Sequence, residues 1–386
     1  MQPMIPPPDI TPLPAPALIF VALLILTFVV HLVFMNLMLG SAVLAAFGRI
    51  RARAGVNKPH WLQLTEVLMH QLPWHIAFTV TTGIAPLLFV QVLYGPLFYT
   101  STIAVGWLWM SLLLVIVVAY YASYAYKLGP YRRRTGEGPA RWVHLAGLLF
   151  LAAALIQVIV NVLQITPERW TWIYQGIASA VGERSILPRF LHFVLSAVAF
   201  TGLYITVRAV RGGLDTTGAA EGSSAESAEA DQPRFPVWAA RTGARIALWS
   251  TVAQLAIGTW FLLALPAGAR SGLMGGSLFD TVIMGLGFLL AVGLVVMLVR
   301  LRDPFAQKKL ATGSAATLLA TMLFMVVTRD GARRLALAEH YTIWDLPART
   351  QTFTLLLFVV VLLAGLWVLG TALRRVSREL RAGLDA

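Results

Sequence analysis

The sequence predicts an all-α integral membrane protein, on three observations. Of the 386 residues, 58% are hydrophobic and only 12% are charged, which is too apolar and too poor in charge for a soluble domain. The apolar residues fall in runs, many of them near or above the roughly 20 residues that cross a hydrocarbon core. The net charge of +13 sits in short Lys and Arg clusters between those runs, where topology signals lie, so the basic balance points to a lipid bilayer and not to nucleic acid.

Nine spans are expected, over 17–47, 72–94, 103–126, 143–163, 190–207, 239–265, 282–299, 310–327 and 353–373. Arg49, Arg51, Arg53 and Lys58 follow the first, and Lys127, Arg132, Arg133, Arg134 and Arg141 the third. Arg208 and Arg211 follow the fifth; Arg300, Arg302, Lys308 and Lys309 the seventh; Arg374, Arg375, Arg378 and Arg381 the last. All fall on one side, with Arg333-Arg334 the main exception. The positive-inside rule makes that side cytoplasmic, with the N-terminus outside and the C-terminus inside. Residues 1–16 are Pro-rich without a basic n-region, so no cleaved signal peptide is expected. The Gly-, Ala-, Ser- and acid-rich stretch 212–236 reads as a flexible cytoplasmic linker between five spans (1–211) and four (237–386). The outer connections 165–188 and 329–349 carry Trp170, Trp172, Tyr174, Tyr341 and Trp344, first of all interfacial anchors.

Cysteine is absent, which excludes disulfides, zinc-thiolate and iron–sulfur sites, and haem attached through Cys-x-x-Cys-His. Any redox cofactor must rest on His, Met or carboxylates. His192 stands one turn inside the fifth span, preceded by Arg189. An ionisable group at that depth is expensive and faces a bundle interior, as a ligand, a proton relay or a packed, hydrogen-bonded residue. Arg189 suits an anionic group such as a haem propionate. His31 lies midway down the first span, and Met284 matches His192 in depth on the seventh, as a second ligand or a gap-filler. On the inner side are His70, His75 and His144. His70 and His75 are about 140° apart on a straight helix of 3.6 residues per turn, so at most one points inward. His75 and His144 are candidates for a bis-His haem or for interfacial hydrogen bonding, with His70 the fallback if Pro73 rotates the helix start. His60 in a loop and His340 in an outer connection read as ordinary solvated residues. Gly40, Gly83, Gly202, Gly285 and Gly287 are mostly packing positions.

Several of these stretches resemble subunit I of the cytochrome bd quinol oxidases. His31-Leu32-Val33-Phe34 to Leu39-Gly40 is similar to that family's H-x-x-F-x-x-x-x-L-G. Asn161 to Pro167 is similar to its N-x-x-x-x-x-P, and Phe190, His192, Val194 and Ser196 to its F-x-H-x-V-x-S. Thr82-Gly83 matches a Thr-Gly pair, and Ile283-Met284 before Gly285 and Gly287 its Ile-Met ahead of two glycines, one residue closer here. The resemblance implies two four-helix bundles plus a peripheral helix, with His31 ligating a haem of the active-site pair and His192 and Met284 the low-spin haem b. Two haems b are then expected, and a third if His75 and His144 pair.

The chain also departs from that family. Leu87 stands where the family has a glutamate at the oxygen-reducing centre, and the third span has no acid where the family has a second one. Arg329, in Thr328-Arg329-Asp330-Gly331, aligns with a haem-ligating glutamate. Apolar or cationic side chains cannot relay protons to a buried iron, so the departures argue against oxygen reduction. The family's quinol loop is cut down to 266–277. The leading expectation is a haem b subunit of a bacterial cytoplasmic membrane. It would move electrons between the quinone pool and other redox subunits, such as a periplasmic multihaem or c-type cytochrome. The alternatives are a divergent quinol:oxygen oxidoreductase subunit and a haem-free transporter or structural subunit.

Overall fold

The computed structural model describes residues 5–7, 11–129, 138–170, 182–214 and 233–382. Its long elements are all helices: α1 (Ala17–Arg53), α2 (Lys58–Ala104), α3 (Gly106–Leu128), α4 (Ala140–Gln164), α5 (Ile186–Val210), α6 (Phe235–Leu263), α7 (Leu278–Arg300), α8 (Lys308–Leu337) and α9 (Thr352–Ala382). Eight of them, α1 to α8, are long and apolar enough to cross a membrane, and the apolar part of α9, Thr352–Gly365, is shorter. The protein is an all-α integral membrane protein. Helices are the natural solution in lipid, since each satisfies its own backbone polar groups.

α1 to α4 pack as one four-helix bundle and α5 to α8 as a second, joined chiefly where α1 meets α5. Small residues permit that junction. A Cβ on Gly40 of α1 would collide with the Ala197 carbonyl and the Thr201 hydroxyl of α5, and Thr201 Oγ1 donates to Asn36 O at 3.1 Å. Within the second bundle, Gly202 and Gly243 let α5 and α6 approach backbone to backbone, as small residues do between membrane helices. α9 lies outside both bundles, with residues 356–363 exposed along its length.

The structure corrects several boundaries. α2 begins at Lys58 and ends at Ala104, longer at both ends than the expected span, with its backbone broken at Tyr94 (φ −129°, ψ 28°) two residues before Pro96. Proline removes a helical donor and clashes with the preceding turn, which accounts for the kink. His60 therefore lies on a helix, buried against Trp238 at a ring distance of 5.2 Å, and not in a solvated loop. α8 runs on to Leu337, so Arg329, Arg333 and Arg334 are helical and not in a connection. Residues 215–232 of the expected linker, Arg132 to Arg134, Trp172 and Tyr174 lie outside the described residues.

The basic last turns of α1, α3, α5 and α7 share one end of the bundles, here the basic end. At the opposite end, the N-terminal strap is tied to the connection before α9 by Leu13 N to Pro347 O (2.7 Å) and Arg349 N to Leu13 O (2.8 Å). The shortened loop after α6 is a five-residue helix, Ala267–Ser271, and a wide turn over Gly272–Gly276, in which Gly275 takes φ +120°. Leu265, Ala269 and Leu273 of this loop pack with Met284 and Leu335, so it caps the second bundle.

Candidate functional site

His31 is held by α2. Its Nδ1 lies 3.0 Å from the Thr79 carbonyl. A carbonyl only accepts, so Nδ1 carries the proton and Nε2 keeps its lone pair, the tautomer that a metal-ligating histidine uses. Gly83 gives the ring its place, since a Cβ there would lie 2.9 Å from His31 Cε1. Of the Thr-Gly pair in the sequence, Gly83 thus has a physical role, making room for the imidazole.

His192, near the start of α5, faces α6. Gln254 Nε2 lies 3.4 Å from His192 Nε2 and 3.4 Å from its carbonyl oxygen. An amide NH₂ donates to both, which leaves the imidazole proton on Nδ1, and Nδ1 is buried with no partner. Gly258 again makes room, with a Cβ there falling 3.3 Å from Cε1. Phe261 joins the neighbours: its ring is 6.0 Å from that of His192 and 4.9 Å from Arg189 Cζ, and it belongs to the packed cluster around Met284. The structure therefore brings His192, Arg189 and Phe261 together, with Met284 in the cluster that Phe261 shares. An imidazole whose Nε2 lone pair is met only by a long amide contact, beside a partly buried guanidinium, fits a haem ligand beside a propionate.

Two further arginines on α8 complete this end. Arg329 Nη2 donates to Asn161 Oδ1 at 2.6 Å, and its Cζ stands 4.5 Å over Phe28. Arg333, only 6% exposed, stands 4.8 Å over the Tyr94 ring. Arg189, Arg329 and Arg333 lie within electrostatic reach of one another. The nearby acids turn elsewhere: Asp330 Oδ2 accepts from Arg334 Nε at 3.1 Å, Asp280 Oδ1 lies 3.5 Å from Arg334 Nη2, and Ser277 donates to Asp280 Oδ2 at 2.6 Å.

At the basic end His75 points inward and His70 is exposed, so Pro73 does not rotate His70 into the core. His75 Nδ1 meets Ser41 Oγ at 3.3 Å, and its ring lies edge-on to Tyr204 at 6.0 Å. His144 lies in the field of Arg49 and Arg53, whereas Gly147, a turn along α4, is level with Ala42 and Ala46. His75 is thus level with Ser41 of α1 and His144 with its last turns, about two helical turns or ~10 Å apart along the axis. The structure does not bring the two together, because α1 and α5 occupy the space that His75 faces.

Sequence reasoning missed Thr79, Gln254, Gly258, Phe261, Tyr94 and Arg333. Only Arg333 left a signal, as the exception to the one-sided charge pattern. The others are ordinary residues made significant by what the fold sets beside them. Among the described residues no three His, Asp or Glu side chains converge as a dedicated metal cage would.

No family model and no curated protein matches the chain. Among solved structures, it is similar to a chain of the bd oxidase from Geobacillus thermodenitrificans, with a TM-score of 0.66 at 13% identity, covering 95% of this chain and 100% of that one. Likeness at that identity shows a shared fold: the expected bd-type architecture holds.

Proposed function

We propose that this chain is a haem b-bearing electron-transfer subunit of a bacterial cytoplasmic membrane. It passes electrons between the quinone pool and a redox partner such as a periplasmic cytochrome, with its basic end in the cytoplasm. The observation that carries the reading is His192: a partly buried imidazole in a membrane helix, whose Nε2 lone pair is met only by a long 3.4 Å contact from Gln254, beside Arg189, in a chain with the fold of a bd oxidase. Bound haem b would supply one-electron redox chemistry between ferric and ferrous iron. His192 and Met284 would hold one haem with Arg189 beside its carboxylates, and His31 would hold a second through its Nε2. Phe261 and Gly258 shape the space against His192, and Thr79 fixes the His31 tautomer.

Oxygen reduction is not part of the proposal. Leu87 is 39% exposed and apolar, α3 contains no acid, and Arg329 replaces the carboxylate of the resembling family, so none of these three positions supplies a proton-relaying acid. The short capping loop after α6 likewise offers no large quinol-binding loop, and a quinone would have to meet another surface or subunit. A reduced-minus-oxidised visible spectrum of the purified protein is the test. A low-spin b-type spectrum is expected, and a featureless one defeats the proposal. Oxygen uptake with a quinol donor should be absent; robust uptake would restore the oxidase alternative.

A further inference from the structure

Among the described residues, the arginines at the end opposite the basic clusters exceed the carboxylates that pair with them. Arg189, Arg329, Arg333 and Arg334 come together with two carboxylates, Asp280 and Asp330, both of which turn to Arg334. Among the described residues none of the other three arginines makes an ion pair. Arg189 Nε is buried without a partner, the Tyr94 ring and hydroxyl stand beside Arg333, and Asp330, within electrostatic reach of Arg329, is held by Arg334. Like charges in a low-dielectric interior repel strongly, and a buried unpaired charge is among the costlier features a fold can hold. Cation–π contacts with Phe28, Tyr94 and Phe261 soften that cost without neutralising any charge.

We infer that Arg329 and Arg333, with Arg189 beside them, form a binding site for a small oxyanion of the phosphate or carboxylate type, placed between α2, α5 and α8. Guanidinium forks match such oxygens in pairs. Asn161 orients Arg329, Tyr94 offers a hydroxyl donor, and Phe28 and Phe261 wall the site. The inference deepens the proposed function by giving Arg329 and Arg333 a ligand of their own, and it rests on that reading for the share of Arg189, and of Arg329 beside Phe28 and His31, that propionates would take. A phosphate group has two sources here, a free anion or a lipid headgroup, and the chemistry of the site is the same for both.

The test follows the thermal unfolding midpoint of the purified, detergent-solubilised protein as sodium phosphate or sulfate replaces chloride at constant ionic strength. The midpoint should rise saturably with phosphate and sulfate. Arg329→Gln and Arg333→Gln should each abolish that response and, in chloride alone, unfold later than wild type because a like charge has gone. A response to phosphatidylglycerol, with none to inorganic phosphate, would support the site and assign it to a lipid headgroup. A wild-type midpoint indifferent to both overturns the inference, as does a response that persists undiminished in the Arg329→Gln, Arg333→Gln double variant. Loss of haem from Arg333→Gln with no anion response in wild type would give the cluster to the propionates and overturn a separate anion site. The two readings fail separately. A protein without a haem spectrum that still responds to phosphate keeps the site, and a haem protein without the response loses only the site.

Discussion

At the basic end, Ser41 and His75, Tyr204 and Gln71, and Tyr126 and Glu66 meet in pairs at 3.3, 2.9 and 2.7 Å. At the opposite end Arg189, His192 and Asp330 each keep a buried polar atom without a partner. Both regions lie within helices that cross the membrane, where water cannot repair an unmade hydrogen bond and each such group costs several kcal/mol. The paired groups are therefore accounted for by the fold they hold together. The unpaired ones are not, and that difference, more than the presence of histidine at either end, separates a candidate site from structural polarity. His60 is the exception at the basic end, with an orphaned Nδ1 but a ring stacked on Trp238 and Phe235.

The largest effect is expected at His192. His192→Ala should remove a low-spin haem b signal and lower haem content by one per chain, while the protein stays inserted, since the hydropathy of α5 does not depend on that side chain. Haem content by the pyridine haemochrome assay, unchanged in the purified variant, would reduce the unpaired end to packing. A subtler intrusion should follow in kind: Gly258→Leu places a side chain where a Cβ already comes within 3.3 Å of the imidazole. It should displace the ring and cut haem retention several-fold, with wild-type haem content as the contrary result.

The asymmetry between the ends also explains what could be read from the sequence. The first eight spans and the end carrying the basic clusters were legible because hydropathy and charge are properties of segments. His192, His31 and Arg189 were legible as ionisable groups in apolar runs. The helix ends were not: Arg329 and Arg333 lower the local hydropathy, so α8 reads as ending at 327 although it continues to Leu337, and the arginines look like a loop. Nor could sequence separate His75 from His192, since both are membrane histidines. Only the fold shows that one meets Ser41 while the other has an unpartnered N–H.

Met284 sharpens the unpaired end without abolishing it. Its cluster with Phe261, Leu265 and Leu335 is the environment of a gap-filling methionine as well as of a thioether ligand. Met284→Ala should keep the haem on His192 and lower its midpoint potential by on the order of 0.1 V, a modest part of the ~0.8 V that axial ligation spans. A redox titration that overlays on wild type would leave Met284 as core alone.

The smallest effect is expected where the polar groups are paired. His75 and His144 are offset by about two turns along α1 and face different neighbours, so neither should hold an iron with the other. His75→Ala should leave haem content and spectrum unchanged and cost about 1 kcal/mol of stability, the ordinary worth of one buried hydrogen bond, through Ser41 and the packing against Tyr204. Ser41→Ala should reproduce much of that loss, because it removes the other half of the same contact, and His144→Ala, beside Arg49 and Arg53, should cost less. Denaturant unfolding in detergent, run beside a haem assay on each variant, measures both quantities. If His75→Ala and His144→Ala each lost the same single haem, the basic end would hold a cofactor after all. The rule that paired polar groups are structural would then fail in this protein, and the two ends would become successive stations of one electron path across the membrane.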